Sequence, residues 1–178
     1  FVFHNFNEPT VFIMPLYPAF LAAVFKVFGC GFAGLQAVRI IQAALSCAAV
    51  VLIFLTGKEL FDRNVGLAAS LLVAFYIPNI ITTGYILTET LFISMLCLLV
   101  YLSLIFSGSP ALWKFFLLGA VWASAVLIRP TIALYPFMLF TYILLCRRIS
   151  FTGVLKLAAG MLLSFVVIMS PWWVRNYR

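Results

Sequence analysis

Residues 65–106 read VGLAASLLVAFYIPNIITTGYILTETLFISMLCLLVYLSLIF, 42 residues with a single charged side chain, Glu89. As one helix this stretch would run about 63 Å, twice the roughly 30 Å hydrocarbon core of a bilayer. It therefore has to turn back on itself. Pro78-Asn79 offers a break, because proline removes a backbone donor and clashes with the preceding turn. Thr82-Thr83-Gly84 offers the turn. Thr88 is placed to cap a new helix, with Glu89 in its first turn, where negative charge suits the helix dipole. On this reading the chain crosses a membrane more than once, and Glu89 sits at a membrane surface.

Composition points the same way. The 178 residues are 66% hydrophobic and 8% charged, against about 25% charged in soluble domains. Mean hydropathy is +1.23. The chain reads as an integral membrane protein of all-α class, a polytopic bundle of transmembrane helices. Its net charge of +7 does not indicate nucleic acid, because the 11 Lys and Arg are scattered, with no basic run longer than Arg147-Arg148. Cys30, Cys47, Cys97 and Cys146 have neither zinc spacing nor a disulfide framework and read as packing residues. The chain starts at Phe1 without an initiator Met and ends at Arg178 just after an apolar span, so it reads as a fragment of a longer protein.

Outward from the central stretch, residues 1–14 mix aromatics with His4, Asn5, Asn7 and Glu8 and read as an interfacial loop. Residues 15–28 form an apolar helix of about 21 Å, too short to cross, ended by Gly29-Cys30-Gly31. Residues 37–56 make one crossing, followed by a mixed-charge turn, GKELFDRN, at 57–64. Further crossings are expected at 65 to the Thr82 turn, 89–106, 112–128, 131–146 and 154–173, with Arg129-Pro130 dividing the long run from 112 to 146. The expected organisation is an extracytoplasmic loop with an interfacial helix (1–36), six crossings (37–173), and the start of another extracytoplasmic segment (174–178). Gly119xxxAla123 and Ala120xxxSer124 suggest close helix packing.

These crossings sort the loops onto two faces. The turns at 57–64, 107–114 and 146–156 share one face, with Lys58, Arg63, Lys114, Arg147, Arg148 and Lys156. The other face gathers Glu8, Glu89, Lys26, Arg39, Arg129, Arg175 and Arg178, together with Tyr17, Tyr85, Tyr135, Trp172, Trp173 and Tyr177. The second face's cations lie in or beside apolar sequence, where a purely topological charge is not expected. Setting them aside as site residues makes the first face cytoplasmic. Carboxylates can hold a divalent metal or take a proton, and arginines offer forked donors to phosphate. Such a surface suits a phosphate-bearing, lipid-anchored substrate. His4 reads as a loop residue, and no nucleophile elbow, Walker loop, Rossmann glycine pattern or HExxH is present.

A set of short pieces, in order, carries a family resemblance. They are Glu8-Pro9, Pro15-Leu16-Tyr17-Pro18-Ala19-Phe20-Leu21-Ala22, Gln36-Ala37-Val38-Arg39, Gly57-Lys58-Glu59-Leu60-Phe61, Thr88-Glu89-Thr90-Leu91-Phe92, Leu127-Ile128-Arg129-Pro130-Thr131 and Ser170-Pro171-Trp172-Trp173-Val174-Arg175-Asn176-Tyr177. Together the chain resembles the PMT/ArnT-like group of GT-C glycosyltransferases, the glycosyltransferase family 39-like enzymes that take a sugar from a polyprenyl-phosphate carrier. The resemblance implies inverting hexosyl or pentosyl transfer to a lipid, glycan or protein hydroxyl on the extracytoplasmic side, and a site in the bacterial cytoplasmic (inner) membrane. It implies that Glu8 and Glu89 are acidic catalytic-site residues, Glu89 at a metal- or substrate-associated position, with arginines or a divalent metal of unspecified identity stabilising the leaving phosphate. Arg129 and Arg175 would contact the carrier phosphate, with Tyr17 and Tyr85 as further substrate-binding residues. The family's catalytic Asp lies in the first extracytoplasmic loop, which would precede Phe1, so residues 1–178 alone are expected to be inactive.

Two other readings fit the same charges. A transporter or flippase for a lipid-linked or anionic substrate also needs intramembrane charge, but such charges sit near the midplane on broken helices, often with internal repeats. Here they sit at turns, and no repeat is visible. A non-catalytic membrane assembly subunit would use the charges only to set topology.

Overall fold

The computed structural model describes residues 14–147 and 149–177. The loop bearing His4 and Glu8 lies outside them, as do Arg148 and Arg178. The described chain is helical: α1 (Leu16–Phe28), α2 (Phe32–Leu60), α3 (Arg63–Ala74), α4 (Ile77–Gly84), α5 (Thr88–Gly108), α6 (Leu112–Val126), a 3-10 turn (Pro130–Ile132), α7 (Tyr135–Cys146) and α8 (Phe151–Tyr177).

The short apolar helix before the first crossing is α1. It ends at Gly29, whose φ of 81° is a backbone conformation that favours glycine. α2 runs longer than expected at both ends. The mixed-charge stretch 57–64 is mostly helix, because Asp62 caps α3 by accepting the N–H groups of Asn64 and Val65 at 2.7 and 2.9 Å. Gly57 and Gly66 let α2 and α3 meet backbone to backbone, since a Cβ at Gly57 would fall 2.8 Å from the Gly66 Cα.

The central stretch does turn back, but not where its proline suggested. α3 stops at Ala74 and α4 starts at Ile77, bent from it by 52°. Pro78 lies in the first turn of α4, where its missing N–H costs nothing. Thr82-Thr83-Gly84 closes α4, and the reversal falls at Tyr85-Ile86-Leu87. The N-cap of α5 is Leu87, without a side-chain cap bond, so Thr88 does not cap the helix. Glu89 is in the first turn as expected.

The core is built where α6 packs beside α8. Leu112 lies against Gly160, Gly119 against Met161 and Ser164, and Trp122 stacks on Phe165 at 3.9 Å, so the two helices run in the same direction. Gly119 and Ala123 are both buried at this contact, as their spacing predicted. The parallel pairing brings the C-terminal ends of α6 and α8 to one end of the bundle.

Among the described residues three helices, α2, α5 and α8, are long and apolar enough to cross a membrane, and the α3–α4 pair, bent by 52°, has the length and composition of a broken span or a re-entrant loop. The remaining two of the six expected crossings correspond to α6 and α7, at 15 and 12 residues, or about 22 and 18 Å of helix. The shortfall has a local cause. After Arg129 the chain folds back along α6, where the Trp122 Nε1–H donates to the Ile132 carbonyl at 3.1 Å. Tyr135 then donates its hydroxyl to the buried Ser103 in the C-terminal third of α5 at 2.8 Å. α7 thus begins inside the bundle, and Tyr135 faces the core rather than a membrane surface. The result is an all-α membrane bundle.

Candidate functional site

The start of α5 and the end of α6 meet, and with them the two charged residues of the longest apolar runs. Arg129 Nη2 lies 2.5 Å from Glu89 Oε1. The Thr88 hydroxyl ties the pair together. It accepts from Arg129 Nε and Nη2 at 3.3 and 3.2 Å and faces Glu89 Oε2 at 3.4 Å. The Arg129 guanidinium also lies 5.7 Å from the centre of the Phe92 ring. The local sequence explains the meeting. α6 cannot continue through Arg129 because Pro130 follows, which pushes Arg129 to extended backbone (φ −145°, ψ 123°). The side chain then reaches across to the first turn of α5.

This pair is neither buried nor fully solvated. The Arg129 side chain is 40% exposed and that of Glu89 34%. Arg129 Nη1 makes no hydrogen bond among the described residues, so one donor edge of the fork remains open.

Two helices close the cluster from behind. The Leu16 N–H of α1 donates to the Leu127 carbonyl at 3.1 Å, and Tyr17 packs with Leu91 and Ile128. The Tyr17 hydroxyl is buried without a hydrogen-bond partner. Burial, and then the nearby Glu89 carboxylate, push its pKa up to about 12. From α2, the wholly buried Gln42 donates its amide to the Leu87 carbonyl at 3.1 Å, while its own Oε1 stays unpartnered. Gln42 thereby holds the residue that launches α5.

Of the expected site residues, the structure joins Glu89, Arg129 and Tyr17. Arg175 is at the same end of the bundle but apart from the cluster. It is exposed, lies 4.9 Å from the centre of the Trp172 ring, and reaches Asn176. Tyr85 is 62% exposed and its hydroxyl makes no hydrogen bond among the described residues. Glu8 is outside them. No group of three metal-ligating side chains occurs among the described residues, and the Glu89 carboxylate already carries a guanidinium. By themselves the described residues do not make a cation site.

Two further residues contribute to the site, Thr88 and Gln42. Thr88 has the composition of a helix cap, but its hydroxyl accepts from Arg129 instead. Gln42 lies inside an apolar span, and a lone amide between Ile41 and Ala43 is itself a signal, since polar groups are costly there.

Comparison with known proteins completes the description. The family model described as dolichyl-phosphate-mannose-protein mannosyltransferase matches residues 8–174. Neither the comparison with curated proteins nor that with solved structures found a match. The matched region contains every described helix except the last turn of α8, and both partners of the ion pair. The chain, a helical membrane bundle with a paired acid and arginine at one end, belongs to the dolichyl-phosphate-mannose-protein mannosyltransferase family of membrane glycosyltransferases.

Proposed function

We propose that the Glu89–Thr88–Arg129 cluster receives the phosphate of a polyprenyl-phosphate-linked sugar, and that the protein transfers this sugar to an acceptor hydroxyl on the extracytoplasmic side of a bacterial cytoplasmic membrane. The observation that carries the reading is the Arg129 guanidinium, held by Thr88 and Glu89 on one edge and open on the other. An arginine fixed in this way presents planar donors to a phosphate without first having to be ordered.

In the reaction, the acceptor oxygen attacks the anomeric carbon and gives up its proton to a base. The bond from that carbon to the phosphate oxygen breaks, and its electron pair leaves with the polyprenyl phosphate. Attack opposite the leaving group inverts the anomeric centre. Arg129 stabilises the charge that builds on the departing phosphate, the kind of electrostatic help such transfers need. Glu89 keeps the guanidinium oriented, and Tyr17 packs behind the pair with Leu91 and Ile128. The base is not assigned to a described residue.

The test is sugar transfer by the protein expressed from its complete reading frame, in membranes supplied with a polyprenyl-phosphate-linked sugar. Arg129→Lys should lower turnover strongly while the protein still inserts. Wild-type turnover in that variant would remove Arg129 from the site. Uptake of a soluble solute into liposomes, with no transfer, would favour transport instead. The bent α3–α4 pair is in line with transport, but the charged pair lies at helix ends rather than at that bend.

A further inference from the structure

The opposite end of the bundle carries a groove that the transfer reaction does not use. It lies between α7 and α8, with Trp122 of α6 at its deep end, and encloses about 540 Å³. Phe137, Phe140, Thr141, Phe151 and Leu162 are among its walls. That volume is typical of ligand sites, about 300–1,000 Å³.

Length and charge identify an occupant. Along α8 the groove extends from Phe151 to Leu162, about 16 Å of helix. That is half of the roughly 30 Å hydrocarbon core, the depth of one leaflet. Its outer end lies where α7 stops and α8 starts. There Arg147 follows on from Leu144, a wall residue one turn earlier. Arg147 is exposed, rests over the Tyr142 ring at 5.8 Å and has no carboxylate partner among the described residues. Arg148 follows it in the sequence, and Lys114 and Lys156 belong to the same end of the bundle. No Asp or Glu occurs anywhere after Glu89. The two acids of this face, Glu59 and Asp62, belong to the α2–α3 hairpin, and neither pairs with Arg147 among the described residues. The mouth of the groove therefore carries an unpaired cation at Arg147, while its walls are mostly apolar.

We propose that this groove binds an anionic phospholipid of the first-face leaflet, one acyl chain lying along α8 and the headgroup phosphate at Arg147. Basic residues at the cytoplasmic ends of transmembrane helices attract acidic lipids, and such lipids are enriched on that side. The site lies at the other end of the bundle from Glu89 and Arg129, so it is separate from the donor site and does not depend on the reaction proposed for that site.

The test uses the protein reconstituted in nanodiscs of phosphatidylcholine with a minor share of phosphatidylglycerol. Lipid retained after extraction is measured by native mass spectrometry. The wild type should retain phosphatidylglycerol over phosphatidylcholine about fivefold, the gain expected of one interfacial cation. Arg147→Gln should bring that ratio near one. Thr141→Phe, at an exposed wall position, should reduce retention of both lipids by filling the groove. Lys58→Gln, on the same face but in the α2–α3 hairpin, should leave the ratio unchanged. Equal retention of the two lipids by the wild type would overturn the proposal. So would an unchanged ratio in Arg147→Gln, unchanged retention in Thr141→Phe, or a loss in Lys58→Gln as large as that in Arg147→Gln.

Discussion

Glu89→Gln separates the two things the ion pair can do. The amide keeps the shape of the carboxylate and one oxygen for Arg129, but not the charge. For folding, little should change. The two side chains are 40% and 34% exposed, and a pair so open to water contributes about 0–1 kcal/mol. For a chain of this length that corresponds to a fall of at most about 2–4 °C in the thermal midpoint. Transfer should respond differently, because in the donor complex the same carboxylate orients the guanidinium against the phosphate. A charge-assisted hydrogen bond contributes about 1.5–3 kcal/mol, so its loss in the transition state lowers kcat roughly 10- to 150-fold. The two read-outs are a thermal melt in detergent and sugar transfer in membranes. If transfer falls only as far as the folded population falls, or if kcat is unchanged, Glu89 is a structural residue and the reasoning fails. Arg129→Lys should follow the same pattern, because one ammonium cannot hold Thr88 and Glu89 and still offer a donor outward.

Other consequences follow from the packing. Gln42→Leu removes the donor to the Leu87 carbonyl and, with it, an unpartnered buried oxygen. These effects oppose each other, so the thermal midpoint should move by no more than about 1 kcal/mol's worth, while transfer drops because the start of α5 is released; a large melt shift with full transfer would count against this role. Tyr17→Phe removes a buried hydroxyl without a partner and should raise the thermal midpoint slightly. With the folded pKa raised from 10.0 to about 12, the unfolded chain releases that proton first as pH rises. Stability from this group is therefore intact below pH 10 and lost between 10 and about 12, and a melt series across that window should show a smaller fall in Tyr17→Phe than in the wild type. Gly119→Val places side-chain atoms against the Met161 carbonyl and Ser164 and should cost about 1–3 kcal/mol by forcing α6 from α8, read as a lower midpoint and faster proteolysis.

The sequence by itself determined the class, the turn-back of residues 65–106, the division at Arg129-Pro130 and the family. These follow from rules that need no partner. An apolar run longer than a bilayer must reverse, a proline must end its helix, and a helix start favours an acid such as Glu89. Tertiary structure alone decided what touches what. Pro78 marked a break, yet the chain bends at Phe75-Tyr76, because proline is well accommodated in a first helical turn. Thr88 had the composition of a cap, but Arg129, 41 residues away, draws its hydroxyl into the ion pair instead. Length arithmetic gave residues 131–146 a full crossing. Trp122 and Ser103 instead bind the chain just after Arg129 into the bundle and shorten α7. Gln42 looked like one polar residue in an apolar span and became the anchor of the site's main strut. Glu89 and Arg129 were both legible as charges at turns. That they are one unit depends on α5 and α6 being antiparallel neighbours with extended backbone at Arg129, a relation set by packing between segments far apart in the chain and therefore carried by no local stretch of sequence.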